Sequence, residues 1–199
     1  MTPPYFPHPS DEFLILVALA LTGLMGAAAW IDWKTWRIPK RLTVGMFASG
    51  LLANLIGGAW LGSLGRPGWL FDGGTALGAL DGVLFSLGGA IAGFAIFFGF
   101  WILGVAGGGD VKHATALGAW VGPRFFIGIL VFSMLVVAVL TAVTLLSGLA
   151  KGKPKPEAPK AGPPKRGKRR LMSFSLPLAV ATLIVFLLIF RVPLGLTNS

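Results

Sequence analysis

"GVAGGGDVKHATALGAW", residues 104–120, sets three glycines against an aspartate in a chain that is otherwise strongly apolar. What flanks this stretch decides how it is read. Before it lies a long apolar run, about 82–103. After it comes a short one, about 110–122, then Pro123, then another long run, about 124–148. Thirteen helical residues rise only about 20 Å, against a bilayer core of roughly 30 Å. The stretch therefore reads as a turn at membrane depth that opens a short helix at Asp110.

Three more apolar runs lie at about 13–31, 42–62 and 176–193. The 199 residues are 55% hydrophobic and 12% charged, with a mean hydropathy of +0.80; soluble domains carry about 25% charged residues. A soluble core cannot hide that much apolar surface, whereas a bilayer can. The expected fold is an all-α polytopic membrane protein, a single transmembrane domain over 1–199. It is a bundle of about six transmembrane helices, the fourth short and opened by the GGGD turn. The N-terminal "MTPPYFPHPSDE" has no basic n-region, so 13–31 reads as a retained span rather than a cleaved signal peptide.

Cysteine is absent, which excludes disulfides, Cys-ligated zinc and thiol catalysis. The histidines are His8 and His113, too few for a conventional multi-His metal site, and no metal is expected. Net charge is +10. Most of the excess sits in "KGKPKPEAPKAGPPKRGKRR", residues 151–170, with nine Lys/Arg and one Glu. That run is rich in Pro and Gly and has no apolar periodicity, so it reads as a disordered basic loop. Topology signalling and contact with anionic lipids fit it better than nucleic acid.

Charge also orients the spans. The loop 32–41 holds Lys34, Arg37, Lys40 and Arg41 and reads as cytoplasmic; the acidic N-terminal tail is then outside. The loop 63–81 has Arg66 against Asp72 and Asp81 and suits the outside. The GGGD turn returns to the cytoplasmic face, and the loop 151–170 must share it. That parity holds only if the chain crosses and returns between Asp110 and Lys151. Both termini are then outside. Asp32 closes the first helix and Asp110 opens the fourth, at similar depth in one leaflet.

Each acid has an ordinary role available. Asp32 could belong to a belt with Trp33, Lys34, Trp36 and Arg37. Asp110 could cap a helix, with the glycines merely allowing a bend. Together they suggest chemistry, because ionisable groups at membrane depth are costly and tend to be functional. Two close carboxyl groups cannot both ionise, so at intermediate pH one is charged and one protonated. The charged one can activate water while the other protonates the leaving nitrogen. This is aspartyl proteolysis, which needs no metal or organic cofactor. Gly107, Gly108 and Gly109 would let a substrate strand approach the backbone. Lys112 could support the charged pair or reach the headgroups. There is no HExxH for a zinc protease, and no serine stands in a GxSG context. Two rivals remain: a transporter or channel component relaying protons through the same acids, and a non-catalytic assembly factor.

Two stretches carry a family resemblance. "AAAWIDWKTWRIPKRLT", residues 27–43, places Asp32 ahead of Ile38 and Pro39, and "GGGDVKHATALGAWVG", residues 107–122, contains a GxGDxK element followed by GAW-G. They resemble the prepilin peptidases, or type IV leader peptidases, GxGD-type aspartyl proteases of the membrane. "SFSLPLAVATLIVFLL", residues 173–188, is a weaker echo. The resemblance implies Asp32 and Asp110 as the catalytic pair, with Ile38, Pro39, Gly107, Gly108, Gly109 and Lys112 shaping the site. It implies a prepilin or pseudopilin substrate, cut at the cytoplasmic face of the bacterial inner membrane just ahead of its apolar helix. The chain departs from the family at Lys40, where Asn is frequent, and at His113, where an aliphatic residue is common. Larger members carry a CxxC zinc domain associated with N-methylation. This chain looks like the short, peptidase-only branch of the Flp or tight-adherence type, for which no methyltransferase activity is expected. The oligomeric state stays open, with a homo-oligomer among the options.

Remaining features have structural readings. Gly89 and Gly93, and Gly118 and Gly122, form GxxxG pairs suited to close helix packing. Pro177 suits a helix start, Asp72 and Asp81 suit turns or caps, and Trp60, Trp69 and Trp101 suit interface anchoring.

Overall fold

A computed structural model describes residues 8–35, 39–150 and 175–190. Its elements are all helical: α1 Asp11–Thr35, α2 Lys40–Ser63, α3 Thr75–Ile102, α4 Gly108–Ala150 and α5 Ser175–Phe190. Among the described residues, α1, α2, α3 and α4 are each long and apolar enough to cross a membrane, and Pro177–Phe186 is a shorter apolar helix. Their outer faces carry exposed Leu16, Leu19, Ile91 and Val131, a distribution that suits lipid and not water. Ile38 and the basic loop 151–170 lie outside the described residues.

Local chemistry sets the ends. Ser10 Oγ accepts the Phe13 N–H at 3.2 Å, a serine N-cap, so α1 starts slightly earlier than the apolar run suggested. Pro39, at φ −62° and ψ 134°, precedes α2; its missing N–H is no loss at a helix start. α3 begins at Thr75, not near residue 82. The segment 75–81 carries small residues that α2 accepts, and Asp81 lies inside the helix rather than in a loop.

The helices pack in an antiparallel register of small residues. On α2 and α3, Asn54 faces Gly82, Gly58 faces Gly78 and Gly62 faces Gly74, and a side chain on any of these glycines except Gly74 would strike the opposing backbone. On α3 and α4 the pattern repeats: Gly93 meets Ala114, Gly89 meets Gly118, and the Phe85 ring meets Gly122. Small residues let backbones approach within membrane bundles. Leu21 and Met25 of α1, Phe97 of α3, Leu117 and Phe126 of α4 and Leu178 of α5 fill the core.

The expected fourth and fifth segments form one run, α4, broken at Gly122 (φ 72°, ψ 174°). The first arm is 108–121 and the second 123–150. Pro123 has no N–H to return to the Ala119 carbonyl, and buried carbonyls need donors. Two side chains supply them. Asn54 Nδ2 donates to the carbonyls of Ala119 at 2.8 Å and Trp120 at 3.1 Å. Ser86 Oγ donates to Ala119 at 2.7 Å. Trp120 Nε1 donates to the Met46 carbonyl at 2.7 Å, tying the first arm to α2.

Candidate active site

Asp32 lies in the last turn of α1, on the buried stripe Leu21, Met25, Ala28, Asp32. Asp110 lies in the first turn of α4, on the inward stripe it shares with His113, Ala114 and Leu117. Helical spacing thus turns both carboxyl groups inward. α1 ends where α2 begins, and α3 ends where α4 begins, so both acids stand at one end of the bundle, here the aspartate end. Asp32 is 8% exposed and Asp110 6%, in a residue class that is almost never buried without a partner.

The local fold holds Asp110 firmly. Its Oδ2 accepts the Gly107 N–H at 3.0 Å, while the Asp110 and Val111 N–H groups return to the Gly107 carbonyl. A third-position acid reaching back to the residue before the helix is half of a capping box. The end of α4 where it sits favours negative charge, because N-terminal N–H groups point outward there. Asp32 occupies the other kind of helix end, where carbonyls point outward.

The GGGD glycines do not have the conformation a tight bend would need. Positive φ occurs at Gly104, not at Gly107, Gly108 or Gly109. Space is free beside them: a side chain at Gly109 would meet nothing within 4 Å, and one at Gly108 would reach only the Trp101 indole nitrogen at 3.9 Å. The backbone next to Asp110 is therefore open where the fold does not require it to be.

An apolar cleft of about 470 Å³ runs beside Gly108 and Lys112. Its walls include Val44 and Phe47 of α2 and Phe94 and Phe98 of α3, and Val111 and Thr115 of α4 form its floor. It lies toward the aspartate end of α2 and α3, whereas the glycine contacts that bring these helices together lie at the far end, from Asn54 to Gly62. Lys40 and exposed Lys112 stand among its lining residues. Lys34, by contrast, lies 4.5 Å over the Trp30 ring.

His113 carries more than its sequence position suggested. It is fully buried, one turn beyond Asp110 on the inward stripe of α4, at the end of the bundle where Asp32 is also buried at an inward position. This imidazole links the surroundings of the two acids. An interfacial role does not fit zero exposure. No group of three or more metal-ligating side chains occurs among the described residues.

At the opposite end, Asp81 is 3% exposed. Its carboxylate accepts the N–H groups of Trp69, Leu70 and Phe71. It pins the α2–α3 connection from within α3, a role the sequence reading as a turn or cap residue did not specify. Trp69, expected as an interface anchor, packs edge-on against Phe85 with centroids 5.8 Å apart. Trp60 and Trp101 are exposed, as interface residues are.

The Type IV leader peptidase family pattern matches residues 19–142, which include Asp32, Asp110 and the cleft. Among curated proteins, the chain is similar to the "Prepilin leader peptidase/N-methyltransferase" of Aeromonas hydrophila, 32% identical over 148 residues, 72% of this chain and 45% of that protein. A protein of the same description from Aeromonas salmonicida (strain A449) is 31% identical over the same shares. The match thus spans a little under half the length of these relatives. No solved structure matches the chain significantly.

Proposed function

The chain belongs to the type IV leader peptidase family, and on that premise we propose that it is a membrane aspartyl endopeptidase that removes the short leader of prepilin or pseudopilin proteins. The observation that carries this reading is the placement of two buried aspartates on inward stripes at one end of the bundle, with buried His113 one turn from Asp110.

The roles follow from the helix ends. Asp110, at a helix N-terminus and hydrogen-bonded by Gly107, carries the negative charge. It takes a proton from water, whose oxygen attacks the scissile carbonyl carbon. Asp32 holds the pair's proton and gives it to the leaving nitrogen as the C–N bond breaks. The pair then holds one proton again, on the other member, and its return resets the site. A metal or organic cofactor has no part in this sequence.

Gly108 and Gly109 leave room for the substrate backbone beside Asp110. The cleft takes the first turns of the substrate's apolar helix, with Lys112 at its rim. Pro39 fixes where α2 starts, and with Ile38 sets the edge from which Lys40 projects. The first arm of α4 crosses only part of the bilayer and the second completes a return, making six spans with α5. This puts the aspartate end below the cytoplasmic surface of the inner membrane and both termini outside. The loop 151–170 lies in the cytoplasm against anionic lipid. The absence of cysteine from these residues favours a peptidase of the Flp type that leaves the new terminus unmethylated. One chain holds both acids, so a homo-oligomer is not needed for the chemistry.

The test is co-expression in membranes with a pilin-like protein whose short basic leader precedes an apolar helix. N-terminal sequencing and mass measurement of the product locate the cut and show whether the new amine is methylated. Asp32→Asn and Asp110→Asn should each lower cleavage by about 10²–10⁴-fold, the usual loss on removing an acid–base group. Full cleavage by folded Asp110→Asn would overturn the reading. In that case proton relay or an assembly role would fit the acids better.

A further inference from the structure

Resting on the protease reading, we propose that His113 is a positioning residue for Asp32. Its ring N–H supports the carboxylate that Asp32 becomes when it gives its proton to the leaving nitrogen.

The argument starts from burial. A neutral imidazole has one donor and one acceptor nitrogen, and a buried polar group normally finds a partner. His113 has zero exposure, yet neither Nδ1 nor Nε2 has a hydrogen-bond partner. An apolar residue would fill that place without cost, so a ring kept there unpaired is a donor held in reserve. Its neighbourhood says for what. It shares the inward stripe of α4 with Asp110, at the end of the bundle where Asp32 of α1 is also buried at an inward position.

Among the described residues, no other titratable group is placed to compete for the ring. At this end, α1 offers Lys34, which is exposed and lies over Trp30. α2 offers Lys40 and Arg41, both exposed, and α4 offers exposed Lys112 and, one turn back from the ring, Asp110, whose Oδ2 already accepts the Gly107 N–H. The titratable residue of α3 is Asp81, at the opposite end, and α5 has none over 175–190.

Chemical need matches this placement. Asp110 is supported by a helix N-terminus and the Gly107 N–H. Asp32 stands in the last turn of α1, where helix carbonyls oppose a negative charge. Yet in the step that breaks the C–N bond, the proton leaves Asp32 and negative charge appears there. An N–H at the same end of the bundle, already desolvated and not engaged elsewhere, is available to meet that charge.

The experiment uses the full-length protein in detergent and the same pilin-like substrate. His113→Leu should lower kcat by about tenfold, leave KM within about twofold, and move the alkaline limb of the pH–rate profile, which reports the proton donor Asp32, up by about one pH unit. His113→Gln, which keeps an N–H, should restore most of both. His113→Met offers a flexible apolar control should Leu fold poorly. A wild-type pH profile in the Leu or Met protein overturns the proposal. A second readout needs no cleavage: Tm values of Asp32→Asn, His113→Leu and the double variant. Non-additive values support the coupling and additive ones overturn it. If the wild-type protein cleaves nothing, the protease reading fails, while this cycle still decides whether His113 and Asp32 act together.

Discussion

Gly89 and Gly118 stand backbone to backbone, each filling the place where the other's side chain would be. This contact lies midway along the α3–α4 pair, between Gly93 against Ala114 and Phe85 against Gly122. It fixes how far α4 stands from α3, and hence where Asp110 and His113 are held.

Gly118→Ala should therefore destabilise the fold by about 1–3 kcal/mol, the usual cost of overpacking a filled interface. Thermal unfolding in detergent measures it. A Gly109→Ala protein is the control. With nothing within 4 Å of the added carbon, its Tm should stay near wild type, while cleavage falls by about tenfold or more because the substrate backbone is displaced.

The break in α4 depends on a conformation that side chains avoid. Gly122→Ala puts a β-carbon at φ 72° and into the Phe85 ring. A loss of about 2–4 kcal/mol is expected, from strain at the special dihedral together with overpacking. Adding Phe85→Leu should recover part of it, since it removes the collision but leaves the backbone cost. Comparing the Tm of the two proteins separates these contributions.

Asn54→Leu should cost about 1–3 kcal/mol, the penalty for leaving buried carbonyls without their donor. Ser86→Ala should cost less, because Asn54 still serves Ala119. The combined variant should lose more than the sum, as both side chains serve one acceptor. Denaturant or thermal unfolding of the four proteins checks the order.

Asp81→Asn should lower Tm without altering catalysis in the protein that remains folded. It weakens charge-assisted hydrogen bonds to Leu70 and its neighbours, a loss of about 1.5–3 kcal/mol. Since the residue is at the opposite end from Asp32 and Asp110, kcat and KM measured well below Tm should match wild type.

Filling the cleft should act on binding. Val44 is exposed on its wall, so Val44→Trp costs little stability while taking up space. KM should rise by about tenfold with kcat little changed, the pattern of lost uniform binding. Steady-state kinetics with the pilin-like substrate give the answer.

Much of this was legible in the letters. Apolar runs and loop charge placed Asp32 and Asp110 at one end, and the α1 stripe Leu21, Met25, Ala28, Asp32 shows why: a polar residue at an inward position keeps the helical period. Gly89 and Gly118 were readable as a packing surface because their spacing repeats every four residues. The α2 set, Gly58 and Gly62, was not singled out, since a glycine pattern does not name the helix it meets. Asp81 looked like a loop residue because small residues before it carry no strong apolar signal, yet those residues are what α2 packs on. Pro123 hinted at the α4 break. Its accommodation by Asn54 and Ser86, from two other helices, could not be seen along the chain. His113 is named there, but its complete burial comes from packing between helices, which the spacing along one chain does not give.

The way α2 and α3 join through glycines at one end and leave a cleft toward the other makes them resemble a clothes-peg, shut at one end and open-jawed at the other. On the proposed reading, the apolar helix of a pilin would find its berth already ajar. It could dock by sliding, with no helix having to be prised from its neighbour.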